Sequence, residues 1–485
     1  MTEVVYRCYL VVVALLAVHG AHRLVLGWAF RRRLADPVSP PLTRYPFVTV
    51  QLPVYNERDV VERLVDSVAA LRWPADRLEI QLLDDSTDDT GRAASPAIRR
   101  ARERGITAEV VRRSGRVGYK AGALAAGLGQ AQGELIAIFD ADFVPPPDFL
   151  ERTVPHLLAG YSMVQVAWAH LNRDANALTR SQAALLDGHF VVEQPARQAM
   201  GAWFNFNGTA GVWQREAIIR SGGWQHDTLT EDLDLSYRAL LAGERFLYLS
   251  DGAVPAEVPD TIAAFLAQQR RWARGSIQTA KKLLPRIWRA PIPLRVKAEA
   301  TAHLTGNLAW PLCVLVGVLL PLVVALRGSA SLGHLALDLP LVGFSLLTNA
   351  GFYRAGGARW RDLPRVLALG IGIGPSQAAA TFEGLFGGRG EFVRTPKNGG
   401  GIGSYALPVS RLPVEAVLAA LNLGVAAWAV ASSHCATVPF LLLFGGGYGW
   451  VAALRLSIPA GALVARAGHL SATAPSIDTA ALAGK

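Results

Sequence analysis

Apolar residues occur along this chain in two arrangements, as long stretches and as short runs separated by polar segments. The long stretches lie at residues 8–28, 304–326, 335–352, 413–432 and 438–454. About 20 consecutive apolar residues are enough to cross a bilayer as a helix. We therefore predict five transmembrane helices, one before and four after a more polar central region.

The central region, residues 47–251, alternates short apolar runs with segments of helical pattern. This alternation is typical of an α/β domain with a largely parallel sheet. The predicted strands are 47–52, 78–83, 108–111 and 135–138. Because ligands of open α/β sheets bind at the carboxyl ends of the strands, we expect the polar residues after these strands to share one crevice.

The run 135–138 is followed by Asp140 and Asp142, one residue apart. Two carboxylates at the end of a buried strand can hold a hard divalent cation, which in turn neutralises a diphosphate. The alternative is that both are solvated loop acids before the next helix, because 145–148 reads Pro-Pro-Pro-Asp. The acids and hydroxyls of 84–90 also end a strand, and they too have an ordinary interpretation as turn and N-cap residues.

Composition narrows the class of protein. The chain has 485 residues, of which 51% are hydrophobic, and a formal net charge of +10. Its basic residues are spread along the chain and cluster beside apolar stretches, as they do next to membrane helices, which favours a membrane protein over a nucleic-acid-binding one. The only cysteines are Cys8, Cys313 and Cys435, and two of them lie in apolar stretches, so neither a disulfide framework nor a zinc site is supported.

Basic residues also indicate the orientation of the helices. The arginines at 31–33 follow the first apolar stretch, which favours a retained helix with its N-terminus outside over a cleaved signal peptide. The segment Leu363–Phe386 is interrupted by Gly, Pro and Glu and has basic loops on both sides, so we predict an interfacial or re-entrant piece. The basic, aromatic segment 281–289 predicts a helix on the membrane surface.

The predicted organisation has seven parts. They are an N-terminal transmembrane helix (1–35), a cytoplasmic α/β domain (36–280), a basic interfacial helix (281–300), a transmembrane helix pair (301–356), an interfacial segment with a loop (357–412), a second transmembrane pair (413–458) and a tail expected to be disordered (459–485). The chain is thus predicted to combine a cytoplasmic α/β domain with an α-helical transmembrane region.

Three further segments carry candidate chemistry, and each has a simpler alternative. Lys120 lies between glycines at a helix start, where an ammonium and backbone N–H groups can approach an anion, although such helix starts are also common packing devices. Thr230 with the acids after it begins a helix, which is also ordinary N-cap chemistry. The segment 268–272 could equally be the polar face of a surface helix.

Together the carboxylates have the properties that sugar transfer from a nucleotide requires. Asp85, with Asp84 beside it, can accept hydrogen bonds from base and ribose. A metal on Asp140 and Asp142 can offset the charge that grows on a leaving diphosphate. Asp232 can accept the proton of an attacking hydroxyl as general base.

Two side chains beyond the carboxylates fit the same chemistry, since Arg271 can neutralise phosphate and Trp272 can stack on a sugar ring. Four motifs in this order resemble the membrane-bound processive glycosyltransferases of family 2, which include cellulose, mannan, chitin and hyaluronan synthases. The motifs are Asp84-Asp85, Asp140-Ala141-Asp142, Thr230-Glu231-Asp232 and Gln268-Gln269-Arg270-Arg271-Trp272. The resemblance implies a GT-A type, Rossmann-like mixed sheet.

Longer segments look like the plant cellulose-synthase-like A and C enzymes, which make β-1,4-mannan or glucomannan and a β-1,4-glucan backbone. These segments are 51–58, 83–88, 118–124, 189–194 and 206–213. Two departures argue against a plain cellulose synthase. Ala123 replaces the usual Asn, and Asn207-Gly208-Thr209 replaces a Cys-Gly-rich acceptor loop.

The resemblance assigns a part of the site to each residue. It implies Pro53, Tyr55, Glu57, Asp84, Asp85, Lys120, Asp140 and Arg271 for the nucleotide sugar, Gly208, Thr209, Glu231, Gln268 and Trp272 for the acceptor, and Asp140 and Asp142 for a divalent metal, Mg²⁺ or Mn²⁺. Asp232 is the implied catalytic base. Cellulose synthases close their site with a loop of pattern Phe-x-Val-Thr-x-Lys, which Phe392, Thr395 and Lys397 match, whereas Arg394 replaces Val.

We therefore predict an inverting, processive hexosyltransferase of the inner membrane with a cytoplasmic catalytic domain. It would use GDP-mannose or UDP-glucose, extend a polysaccharide acceptor and pass the product through the lipid bilayer, with an export subunit as a candidate partner. A non-processive transferase to a lipid or single sugar is the main alternative, because it shares the aspartates but does not need Gln-x-x-Arg-Trp. A transporter or structural membrane protein would leave the strand-end carboxylates without a purpose.

Overall fold

The computed structural model describes residues 2–33, 35–327, 332–388, 390, 413–432 and 435–457, without the side chains of 327, 332–339 and 435. The predicted loop with Phe392, Arg394, Thr395 and Lys397 lies outside the described residues, as does the predicted tail. Both therefore stay predictions.

Within the described residues, a mixed sheet of seven strands forms the centre of the α/β domain. The strands are β1 (Val48–Val54), β2 (Leu78–Asp84), β3 (Thr107–Val111), β4 (Leu135–Ile138), β5 (Met163–His170), β6 (Gly211–Gln214) and β7 (Phe246–Ala256). Their order is β3-β2-β1-β4-β6-β5-β7, in which β6 is antiparallel to both neighbours and the other pairs are parallel. The four strands predicted from the sequence are confirmed, and so is the mixed, Rossmann-like sheet.

Helices cover both faces of this sheet. The helices of the first half of the chain are α1 (Thr2–Arg31), α2 (Arg58–Ala69), α3 (Thr90–Glu103), α4 (Tyr119–Gln130), α5 (Phe149–Leu158), α6 (Ala177–Asp187), α7 (Gln194–Ala199), α8 (Arg215–Arg220) and α9 (Glu231–Leu241). Of these, α1 packs against two helices of the second half, Ala309–Arg327 and Leu332–Ala355, rather than against the sheet. In β4, Leu135 and Ala137 pack with α2, α3 and α5, whereas Ile136 and Ile138 pack with α4, α8 and α9. This two-sided burial explains why the run is apolar at every position.

The topology gathers several loops at one edge of the sheet. The carboxyl ends of β1 and β2 meet there, with Val54 opposite Asp84, and β4 and β5 run in the same direction. Because β6 runs the opposite way, with Gly211 opposite Ile138, the loop before β6 also arrives at this edge. Residues 205–210 are therefore placed beside the residues that follow β4.

The second half of the described chain is helical. Its helices are α10 (Ile262–Arg289), α11 (Leu294–Thr305), α12 (Ala309–Arg327), α13 (Leu332–Ala355), α14 (Leu363–Phe386), α15 (Val414–Ala431) and α16 (Val438–Leu456). Within the described residues, four helical stretches are long and apolar enough to cross a membrane, by length and composition: Thr2–Arg31, Leu294–Leu326, Val414–Ala431 and Val438–Leu456. The span predicted at 335–352 lies within α13, part of whose side chains are not described.

The structure corrects the predicted bounds of one segment, and it shows the course of a second, Leu363–Phe386, whose interfacial position stays a prediction. Residues 281–289 are not a separate surface helix but the end of α10, because the helical pattern continues without a break from the segment 268–272. Leu363–Phe386 is one continuous helix, and its Glu383 accepts hydrogen bonds from Arg270 (2.5 Å) and Arg274 (3.2 Å) of α10. Helix α14 is thus bound to the helix that carries Arg271 and Trp272.

Candidate active site

A cavity of about 150 Å³ opens at the carboxyl edge of the sheet. Its walls come from the ends of β1, β2, β4, β5 and β7, from the starts of α4 and α9, and from α10. The predicted site residues that line it are Pro53, Tyr55, Glu57, Asp85, Lys120, Asp140, Asp142, Glu231, Asp232, Gln268, Arg271 and Trp272. Four motifs that are far apart in the sequence are thus brought to one cavity, which we call the donor cavity.

Lys120 joins the start of α4 to the end of β4. Its Nζ lies 2.5 Å from Asp140 Oδ1 and 3.0 Å from the carbonyl oxygen of Gly208. Burial lowers the pKa of Lys120, but Asp140, Glu231 and Asp232 act against burial and raise the pKa above its usual value. The donor cavity therefore contains a permanent cation at neutral pH.

Gly208 and Thr209, both predicted acceptor residues, do not line the donor cavity but contact residues that do. Thr209 is fully buried, and its hydroxyl accepts a hydrogen bond of 3.0 Å from the backbone N–H of Asp140. Gly208 has a positive φ of 81°, and a β-carbon there would lie 2.9 Å from Asp232 Oδ2 and 3.3 Å from Lys120 Nζ. Gly208 is therefore required both for its backbone conformation and for the close approach of these charged groups.

Asp232 has the electrostatics of a general base. Its burial and the neighbouring Glu231 raise its pKa to about 7, against the opposing effects of Lys120, the Leu233 N–H and Arg271. A base whose pKa lies near the working pH balances availability against strength. Thr230, which precedes α9, makes no capping hydrogen bond with its side chain.

The two neighbouring aspartates at the end of β2, Asp84 and Asp85, have different environments. Asp84 does not line the donor cavity: it is buried and accepts from the Ser86 N–H at 3.0 Å and from Arg112 at 2.5 Å. Asp85 lines the cavity and forms a two-point ion pair with Arg113. The structure thus brings only the second aspartate of this motif to the site.

Sequence reasoning missed Arg116, Trp168 and His170 and named Asn207 only as part of the acceptor loop, without a role; all four line the donor cavity. The guanidinium carbon of Arg116 lies 3.3 Å from the centre of the Tyr55 ring, a cation–π contact beside Asp85. The available signal for Trp168 and His170 was their place at the end of β5, at the same edge as the other motifs. For Arg116 and Asn207 the signal was their position next to motifs that had been recognised.

Asp140 and Asp142 are the residues that could hold a metal ion. No group of three or more His, Cys, Asp and Glu side chains in the described part of the chain is arranged for this purpose. Mg²⁺ is commonly held by one or two carboxylates, with substrate phosphates and water completing its coordination. The donor set therefore fits a cation that binds together with a diphosphate, rather than a metal site made of protein alone.

A second cavity of about 460 Å³ extends from the donor cavity among the helices of the apolar half. Its walls include Val13 of α1, Val316 of α12, Ile371 of α14 and Phe444 of α16. Six residues line both cavities: Trp168, Leu186, Asn207, Thr230, Asp232 and Trp272. We call these six the junction, and the second cavity the helix cavity.

Comparison with known proteins agrees with this geometry. The model of glycosyl transferase family 2 matches residues 49–219, and that of glycosyl transferase family group 2 matches 135–351. A glucomannan 4-beta-mannosyltransferase of Oryza sativa subsp. japonica is 42% identical over 270 residues, 53% of this chain and 52% of that protein. Another, of Arabidopsis thaliana, is 44% identical over 253 residues, 51% of this chain and 47% of that protein. The chain thus spans about half the length of these relatives.

Among solved structures, a mannosyltransferase of Pyrobaculum calidifontis in complex with GDP-Man and Mn²⁺ superposes with a TM-score of 0.56. It is 24% identical, and the match covers 78% of this chain and 99% of that one, which supports a common GT-A fold. The two family models extend over the sheet, the loop before β6 and the helix of Asp232. The chain therefore contains a glycosyltransferase family 2 domain.

Proposed function

We propose that this protein is an inverting hexosyltransferase that extends a β-1,4-linked glycan and passes it into the helix cavity. The observation that carries the proposal is that Asp232 and Trp272 line both cavities. A donor sugar in the first cavity and a glycan end in the second would meet at these two side chains. A transferase that modifies single acceptors has no need of a continuation of this kind.

The transfer step follows from the charges around the junction. Asp232 takes the proton of the acceptor hydroxyl as its oxygen forms a bond to the anomeric carbon of the donor sugar. The bond from that carbon to the phosphate oxygen breaks on the opposite face, and the nucleoside diphosphate leaves with the electron pair. Attack on the face opposite the leaving group inverts the anomeric configuration.

The leaving diphosphate needs compensation for its negative charge. Lys120 supplies a permanent cation next to Asp140, and Arg271 supplies a second cation from α10. A divalent cation held by Asp140 and Asp142 together with the diphosphate would act as a Lewis acid there. These groups stabilise charge that develops in the transition state, which accelerates the reaction more than tight substrate binding does.

We propose GDP-mannose as the donor, in preference to UDP-glucose. The support comes from the relatives, which are named glucomannan 4-beta-mannosyltransferases and match at 42% and 44% identity. The part of the chain that matches the family 2 model, residues 49–219, includes β1, β2 and β4, whose ends line the donor cavity. A polysaccharide end is the proposed acceptor.

The apolar helices support a membrane location. Four stretches of the described chain have the length and composition to cross a bilayer. The arginines at 31–33 lie at the end of the first of them, which by the positive-inside rule supports a cytoplasmic position for the α/β domain. In a bacterium this is the inner membrane, where nucleotide sugars are available.

The test is to incubate the purified, detergent-solubilised protein with a panel of radiolabelled GDP- and UDP-sugars and separate the products by size. We expect polymer from GDP-mannose that an endo-β-1,4-mannanase degrades. Single-sugar products only would favour the non-processive transferase. Absence of both product and nucleotide-sugar hydrolysis with every donor would contradict the transferase assignment.

A further inference from the structure

Asn207 lies at the junction, and both ends of its carboxamide are held by neighbours. Its Nδ2 donates to His189 Nε2 at 2.9 Å, and its Oδ1 accepts from Gln194 Nε2 at 2.8 Å. Its backbone N–H donates to Gln165 Oε1 at 2.9 Å. A carboxamide offers two N–H donors and two lone pairs, so one of each is left for a ligand in the cavity.

The contact with Asn207 determines which nitrogen of His189 carries the proton. Because Nε2 accepts from the amide, Nδ1 carries the hydrogen and donates it to Glu193 Oε2 at 3.1 Å. His189 and Glu193 belong to the π-helical turn Gly188–Glu193, which joins α6 to α7. Turns of this type are rare and occur frequently at functional sites.

Glu193 is held ionised by two arginines from different helices. Its carboxylate lies 3.3 Å from Arg197 Nη1 of α7 and 3.6 Å from Arg23 Nη1 of α1. Burial raises the pKa of Glu193, but Arg197, His189 and Arg23 outweigh burial and lower the pKa well below its usual value. An acceptor that stays ionised keeps the His189 ring in one orientation.

The junction has the composition of a sugar subsite. Trp168 and Trp272 provide aromatic faces, and Asn207 provides planar polar atoms beside Asp232. His189 lines only the helix cavity, on the side where a glycan would lie. Asn207 lines both cavities but is held by a residue on the glycan side, so we assign its remaining N–H and lone pair to the acceptor sugar rather than to the nucleotide.

We propose that His189, oriented by Glu193, is a positioning residue: it fixes Asn207 so that the Asn207 carboxamide binds a hydroxyl of the acceptor sugar next to Asp232. This inference rests on the proposed function, because it requires a sugar acceptor at the junction. It adds a residue that acts on acceptor binding through another side chain, without touching the donor.

The experiment uses the full-length protein with GDP-mannose and β-1,4-mannotetraose. One assay measures GDP-mannose hydrolysis without acceptor, and the other measures kcat and KM for the tetraose. His189→Ala should raise the KM for the tetraose about tenfold, the effect of losing one well-placed hydrogen bond, and leave hydrolysis within about twofold. His189→Gln should restore most of the affinity, because its amide can accept from Asn207 and donate to Glu193.

A double variant separates positioning from an independent contact. Since His189 acts through Asn207, His189→Ala with Asn207→Ala should raise the KM no more than Asn207→Ala alone. If the double variant instead raises the KM by the product of the two single effects, His189 does not act through Asn207 and the proposal is overturned. The control is Gln214→Ala, which also loses two side-chain hydrogen bonds, to the carbonyl oxygens of Leu157 and Tyr161, but lies outside both cavities and should change neither assay.

The parent protein distinguishes failure of this inference from failure of the proposed function. If the parent hydrolyses GDP-mannose but transfers none to the tetraose, the proposed function fails and this inference fails with it. If the parent transfers mannose while His189→Ala leaves the KM unchanged, or lowers hydrolysis and transfer by the same factor, only the role of His189 is overturned. Thermal unfolding of both variants controls for stability. If His189→Ala and Gln214→Ala lower the midpoint of unfolding equally, lost stability cannot explain a rise in KM that only His189→Ala shows.

Discussion

Lys120 reaches Asp140 directly, with 2.5 Å between Nζ and Oδ1, and the same ammonium group donates to the carbonyl oxygen of Gly208 at 3.0 Å. One side chain thus connects the start of α4, the end of β4 and the loop before β6. The contact keeps a cation beside the carboxylate that is proposed to bind a metal with the diphosphate. It also ties the backbone of Gly208 to a side chain that lines the donor cavity.

Replacement of Lys120 should weaken both donor binding and transfer. Lys120→Met removes a charge-assisted hydrogen bond of about 1.5–3 kcal/mol, so kcat/KM for the donor should fall about 10- to 100-fold. Steady-state kinetics with GDP-mannose measure this loss. Lys297→Met is the control, because that lysine donates to the carbonyl oxygen of Trp288 outside the donor cavity. Equal activity of the two variants would contradict the role of Lys120.

Asp142 should be needed for metal-dependent transfer. Asp142→Asn leaves one carboxylate for the cation, so transfer should be lost while the membrane fold stays intact, as judged by thermal unfolding. A chelator should inactivate the parent protein, and added Mn²⁺ or Mg²⁺ should restore it. Full activity of the variant, or of the parent in the presence of chelator, would remove the metal from the mechanism.

The pKa of Asp232, raised to about 7, predicts the pH dependence of the reaction. Only the ionised carboxylate accepts a proton, so kcat/KM should rise with pH and level off above about 7. Asp232→Asn should reduce transfer about 10²–10⁴-fold and remove this acid limb. If the residual activity of the variant keeps the same acid limb, that limb belongs to the titration of another group.

The same pKa shift predicts a change in stability. The folded state binds the proton of Asp232 more tightly than the unfolded state, whose pKa is about 3.9. The contribution of Asp232 to the free energy of unfolding should therefore fall as pH rises from about 4 to 7. Denaturant unfolding of the parent and of Asp232→Asn across this range isolates the contribution. If the free energy of unfolding changes with pH equally in the two proteins, the pKa shift is contradicted.

Gly208 and Gly243 form a matched pair for testing the close approach to Asp232. Both have positive φ, 81° and 89°, but a β-carbon at Gly243 would meet nothing within 4 Å. Alanine at either position should lower the free energy of unfolding by about 1 kcal/mol through backbone strain. Only Gly208→Ala should also abolish most transfer, because its methyl group would displace Asp232 Oδ2. Equal transfer by the two variants would show that the approach is not required.

Trp272 is expected to act on the acceptor and not on the nucleotide. Trp272→Ala should reduce chain growth more than it reduces hydrolysis of the donor, because it removes the aromatic face at the junction. Trp288→Ala, on the same helix but outside both cavities, is the control and should spare both reactions. If Trp272→Ala made long polymer at the parent rate, the processive assignment would lose its main support.

Local pattern predicted β1, β2, β3 and β4 and the edge at which the site forms. The run before Asp140 is apolar at every position because both faces of β4 are covered, and this can be recognised without knowing the fold. Parallel strands then bring their carboxyl ends together by geometry alone. The same reasoning could not separate Asp84 from Asp85, since only the burial of Asp84 with Arg112 shows which one reaches the donor cavity.

The order of the motifs and the apolar stretches by themselves determined a family 2 α/β domain joined to membrane-length helices. The junction, the helix cavity and the chain of contacts from Asn207 through His189 and Glu193 to Arg23 were decided by tertiary structure alone. These contacts join the loop before β6, the turn Gly188–Glu193 and α1, and Glu299 of α11 likewise contacts His22 of α1 across 277 positions. Hydrophobic periodicity reports which face of an element is buried, but not which distant side chain it will meet, because that depends on how the helices pack.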